Sequence, residues 1–144
     1  MARDRVKSKG RRESGSFISL PHNIVNSDEF CKLSAISVKL LIDLFSQFKG
    51  KNNGDLCCSW TPMKKRGWRS KDTLFRAMSE LESNGWIIRT RQGNRNKANL
   101  FAVTWRGIDE CKGKLDLAPN PRPLNMWKLD PPPRLPGNSG TNAV

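Results

Sequence analysis

The amino-acid sequence predicts a small α+β domain in which a helical core precedes a two-stranded antiparallel hairpin. Three observations lead there. Apolar residues make up only 36% of the 144-residue chain but are concentrated between Phe17 and Trp105, enough for one domain with polar flanks. Apolar residues recur at helical spacing twice within that stretch, over Val38–Phe48 and over Leu74–Leu81. Two runs rich in β-branched and aromatic residues, WIIRTR and ANLFAVTW, then flank the hexapeptide QGNRNK, which contains no apolar residue.

Composition divides the chain into three parts. Residues 1–16, MARDRVKSKGRRESGS, form a basic arm rich in Gly and Ser and expected to be flexible. Residues 17–113 form the domain. Residues 114–144 are a Pro-rich tail expected to be extended or disordered, with polyproline character near PPPRLP. PRLP fits a PxxP ligand pattern, although composition favours a solvated segment, and Trp127 stands out there as a side chain suited to docking back on the domain.

Within the domain, FISL before Pro21 is expected to open with a short strand, and Ser27 is placed to cap a helical turn with acids behind it. A longer helix is expected from Ser34 to Phe48, with Val38, Leu41, Ile42, Phe45 and Phe48 facing inward. GKNNG ends it, and DLCCSW supplies a small strand. Thr61-Pro62 marks the start of a brief second helix, as cap and first helical residue, which Gly67 stops. A third runs from Ser70 to Asn84, with Leu74, Ala77, Met78 and Leu81 on its buried stripe and Asn84-Gly85 as its stop. The order helix, short strand, helix, tight turn, helix, strand, basic loop, strand is that of a winged helix-turn-helix: a three-helix core plus a small antiparallel sheet whose loop is the wing.

Charge points to the partner. The net charge is +13 and the pI about 10.2, a balance that favours nucleic acid first and an anionic surface second. Between residues 64 and 97 lie ten Lys or Arg against three acids, so more than half of the excess charge occupies under a quarter of the chain. The third helix is expected to present Ser70, Lys71, Thr73 and Arg76 from its N-terminal half, with Arg69 just before it, as a helix in the DNA major groove does. Lys64, Lys65 and Arg66 precede it as candidate phosphate contacts. The loop adds Arg95 and Lys97, with the amides of Gln92 and Asn94, between Arg89 and Arg91, and Gly93 permits a tight turn.

The segment WTPMKKRGWRSKDTLFRAMSELESNGWIIRTRQGNRNKANLFAVTW resembles the winged helix-turn-helix domains of bacterial regulators and replication-organising proteins carried by phages and integrated elements. The upstream FISLPHNIVNSDEFCKLSAISVKLLIDLF resembles the lead-in of the same group, so the likeness spans Phe17–Trp105. It implies double-stranded DNA binding through the third helix and the wing, as a transcriptional regulator or a replication-initiation accessory factor. The chain departs from many members in having neither a ligand-sensing domain nor a long dimerisation helix.

Other classes fit less well. The sole histidine, His22, has no catalytic partner in sequence, the chain contains no tyrosine nucleophile, and GNRNKAN lacks the ending of a phosphate-binding P-loop. Cys31, Cys57, Cys58 and Cys111 form no Cys-x-x-Cys pair, so neither metal nor cofactor is expected. No apolar stretch approaches a membrane span, and no signal sequence is visible, which makes a cytoplasmic, nucleoid-associated protein the expectation. A homodimer on a palindromic site fits the class. The competing function is that of a phage-type interaction protein, whose basic surface or C-terminal tail inhibits or recruits a host nucleic-acid machine.

Overall fold

The computed structural model describes residues 15–129. Two single-turn helices, α1 (His22–Val25) and α2 (Asp28–Cys31), lead into α3 (Ala35–Phe45), α4 (Trp60–Lys65) and α5 (Lys71–Ser83). Strands β1 (Ile87–Arg91) and β2 (Leu100–Val103) follow and pair antiparallel, Ile87 opposite Val103 and Arg89 opposite Phe101, with an irregularity between Arg89 and Arg91. The molecule is therefore α+β, with five helices and a two-stranded sheet among the described residues.

The helix starts are written in serines. Ser27, Ser34 and Ser70 each occupy a cap position, and their hydroxyls accept from the N–H groups of Phe30, Ser37 and Thr73. Each satisfies one backbone donor that the first turn leaves without a partner. At α4 the sequence places the cap on Thr61, whereas the helix begins two residues earlier than expected, at Trp60, with Ser59 in the cap position. Ser59 makes no side-chain cap; its hydroxyl lies 2.9 Å from the Cys57 sulfur. Pro62 thus sits third in the helix, still inside the first turn, where its missing N–H costs no internal bond.

Two expected strands are reduced. Residues 17–20 form none; Ile18 and Leu20 lie against the helical core instead. DLCCSW contributes one bridge, in which Leu56 and Phe101 exchange backbone hydrogen bonds of 3.2 and 2.8 Å, so it borders β2 over a single residue.

On α5 the buried residues are Leu74, Ala77, Met78 and Leu81, as the spacing predicts. On α3 the buried face is turned from the expected one. Ser37, Leu40, Leu41, Asp43, Leu44 and Phe45 are buried, while Val38, Ile42 and Phe48 are only half-buried. The displacement has a polar cause: Ser37 and Asp43 are inside because they are hydrogen-bonded there, and apolar periodicity assigns such residues to the surface. Glu80 of α5 accepts from the Ser34 N–H (3.0 Å), the Ser34 hydroxyl (2.7 Å) and the Ser37 hydroxyl (2.9 Å), tying α5 to the start of α3.

The C-terminal boundary also moves. Sequence composition assigns residues 114–144 to the tail, yet 114–129 pack on the domain. Asp116 donates its N–H to the Thr90 carbonyl, Ile108 and Asn120 form an antiparallel bridge, and Met126 and Trp127 are buried. Trp127 stacks on Trp86 at 5.1 Å and 15°, and Trp86 meets Phe30 and Trp105 edge-on. The backbone at Met126 presses so close to Gly85 that a Cβ there would overlap the Met126 carbonyl. Burial of one large aromatic outweighs the reluctance of a Pro-rich segment to fold. Most of the basic arm (1–14) and the PPPRLP motif lie outside the described residues.

Candidate nucleic-acid interface

The turn between α4 and α5 is held from beneath by α3. Asp43, buried on α3, accepts from Trp68 Nε1 at 2.8 Å, Arg66 Nε at 2.9 Å and Lys39 Nζ at 3.0 Å. Lys39 also donates to the Arg66 carbonyl at 3.0 Å. Burial raises the Asp43 pKa, but the donors Trp68, Lys39 and Arg66 outweigh it and hold the carboxyl below its ordinary value. Gly67 makes the turn at φ +100°, a left-handed conformation that side chains resist, with open space around it. Arg66, a candidate phosphate contact from sequence, is in part a structural residue: its guanidinium is tied to Asp43.

The hairpin loop is built with similar economy. Arg91 Nε and Nη2 donate to the Ala98 carbonyl at 3.3 and 2.9 Å. Asn94 Oδ1 accepts from the N–H groups of Asn96 and Lys97, an Asx turn, and Asn99 Oδ1 accepts from the Gly93 N–H. A Cβ at Gly93 would strike the Lys97 carbonyl. The Gln92 N–H reaches the Asp116 carboxylate at 2.9 Å, so the packed C-terminal segment also braces the loop. Arg91, Gln92 and Asn94 therefore shape the loop.

Arg89 requires a correction. Its side chain is 8% exposed, bonded to Glu82 at 3.2 Å and to Gln92 Oε1 at 3.2 Å, and it lies over the Phe101 ring. A guanidinium so enclosed does not face a ligand, and it leaves the candidate interface. The local sequence offers only Gln92; the carboxylate and the ring that enclose Arg89 come from α5 and β2.

These contacts sort the ten basic residues between 64 and 97. Arg66, Arg76 and Arg89 are paired with Asp43, Asp72 and Glu82, and Arg91 braces a carbonyl. The Asp72–Arg76 pair is exposed on both sides and readily exchanged for another partner. Lys64, Lys65, Arg69, Lys71, Arg95 and Lys97 are exposed and make no ion pair among the described residues. Ser70 spends its hydroxyl on the cap, and Thr73 is half-buried behind it.

Lys71, Arg95 and Lys97 come together across one cleft of about 700 Å³ between the start of α5 and the hairpin loop. Trp60, Leu74 and Met78 line it as well, and among the described residues no acid does. Sequence spacing does not single out Trp60 or Asp43; the nearest signals are a Trp beside the Ser59-Thr61-Pro62 helix start and an acid on an otherwise apolar helix. Burial pushes the Cys58 thiol, on the cleft wall, up to about 12, so it remains protonated near neutral pH and donates to Met78 Sδ.

Among the described residues no His, Cys, Asp and Glu cluster is placed to hold a metal ion, and no helix is long and apolar enough to cross a membrane. Comparison with protein-family models, with curated proteins and with solved structures finds no match to this chain.

Proposed function

We propose that the chain is a winged helix-turn-helix protein that binds duplex DNA in a sequence-specific way, as a transcriptional regulator of a bacterial phage or mobile element. One observation carries this reading. Six cations with no ion pair among the described residues stand on α4, the turn, the start of α5 and the hairpin loop, while the intervening acids are engaged by other side chains. α5 is the recognition helix and residues 92–97 are the wing. Lys64, Lys65 and Arg69 meet phosphates. Lys71 and Thr73 face bases, joined by Arg76 once it releases Asp72. Arg95 and Lys97 meet the flanking backbone or groove.

Selection of fragments from a random duplex pool, followed by titration with salt, tests this. An enriched motif is expected, palindromic if the protein pairs on its site, with a log–log salt slope of about −5 if all six cations neutralise phosphates. Loss of all duplex retention at about 0.1 M salt would refute the reading and favour a protein partner for the same basic surface.

A further inference from the structure

The cleft between α5 and the hairpin loop has a composition that duplex binding does not explain. Its volume of about 700 Å³ lies inside the range of small-ligand pockets, roughly 300–1,000 Å³. Its lining combines the apolar Trp60, Leu74 and Met78 with residues 93–99 of the polar loop. Lys71, Arg95 and Lys97 are all exposed and unpaired among the described residues, and no carboxylate lines the cleft. Phosphates of an intact duplex have no use for a Trp-lined wall.

The geometry points to a binding site for a nucleotide: a planar heterocycle against Trp60, its polar edge toward the loop, and its phosphate among Lys71, Arg95 and Lys97. Aromatic side chains accept any base face, and cations beside them hold the phosphate. An alkyl anion fits less well, since its chain would face the backbone and carboxamides of the loop without hydrogen bonds. The nucleotide is either free or a member of an unpaired strand. Because it uses three of the cations assigned to DNA, its binding competes with duplex; that consequence rests on the DNA-binding reading, whereas binding itself does not.

Calorimetry on the full chain without DNA, using AMP, GMP, CMP and UMP, with adenosine and ribose 5-phosphate as parts, tests the site. At least one monophosphate is expected to bind below about 1 mM, with adenosine and ribose 5-phosphate each about tenfold weaker than AMP. Trp60→Leu removes the ring while keeping an apolar side chain against the core, and Lys71→Ala leaves the core untouched; each is expected to weaken AMP about fivefold or more. An adenine trinucleotide bound more than about tenfold tighter than AMP assigns the site to a strand, and equal binding assigns it to the free nucleotide. No monophosphate binding at about 1 mM, or ribose 5-phosphate binding as tightly as AMP, overturns the proposal. Duplex retention, measured separately, stays informative in either case.

Discussion

Arg89 and Lys97 belong to one hairpin and have different physical roles. Arg89 is enclosed with Glu82 and Gln92, and Lys97 stands in solvent. Removing one partner of an enclosed pair leaves the other's charge less compensated, so Arg89→Ala is expected to destabilise the fold by about 3 kcal/mol in urea unfolding. Lys97→Ala is expected to leave stability within about 0.5 kcal/mol while reducing the magnitude of the DNA salt slope by about 1. Asp43 is the second residue with a defined consequence. Its pKa is depressed in the fold, as is that of Glu80, where burial raises the value but Ser34 and Ser37 donors outweigh it. A depressed carboxylate stabilises fully above its unfolded pKa, near 4, and that stability is lost as pH falls through the lower folded value. Asp43→Asn is therefore expected to cost about 2 kcal/mol at pH 7. The gap to wild type in urea midpoint should narrow as pH falls below the ordinary carboxylate range and through the depressed value at which Asp43 itself becomes neutral. A gap independent of pH would mean that packing, not charge, holds the turn.

At the scale of elements, the relation of α4 to α5 depends on one backbone conformation. A methyl group added at Gly67 would meet no other atom within 4 Å, so the cost of Gly67→Ala lies in its φ of +100° alone. It is expected to lose about 1 kcal/mol of stability. Under the proposed DNA binding, duplex affinity should fall by about tenfold or more if the turn reorients α5, because the proposed base contacts depend on its position. A variant with unchanged affinity would place the recognition surface elsewhere. Much of this element was legible in sequence: Ser70 as the start of the helix, Gly67 as turn, and the stripe Leu74, Ala77, Met78 and Leu81. The face of α3 was less so, because Ser37 and Asp43 are buried by partners far along the chain.

For the whole molecule, the decisive feature is the return of the chain after β2. Residues 114–129 close over Trp86 with Trp127 and brace the loop through Asp116. Trp127→Ala is expected to cost about 3 kcal/mol, read as a lowered urea midpoint, and to loosen the hairpin loop as well. Unchanged stability would show that the segment merely rests on the domain. Proline content suggested a solvated tail from 114 onward; the packing of Met126 and Trp127 depends on a surface that exists only once α2, α5 and β1 have assembled.

The sequence by itself determined the α+β class, the order of the three longer helices and the hairpin strands, the cap at Ser27, the helix starts at Ser34 and Ser70, and the concentration of cations between 64 and 97. These follow from local rules, in which side-chain period, cap chemistry and charge count act within a few residues. Tertiary structure alone decided which cations are spent and which are available. Arg66 and Arg89 look like Lys64 and Lys97 in sequence, but their carboxylate partners lie on other elements, and an ion pair is a property of distance in space. The same reason brought Trp60 and Lys97 to one cleft and carried Trp127 back to Trp86.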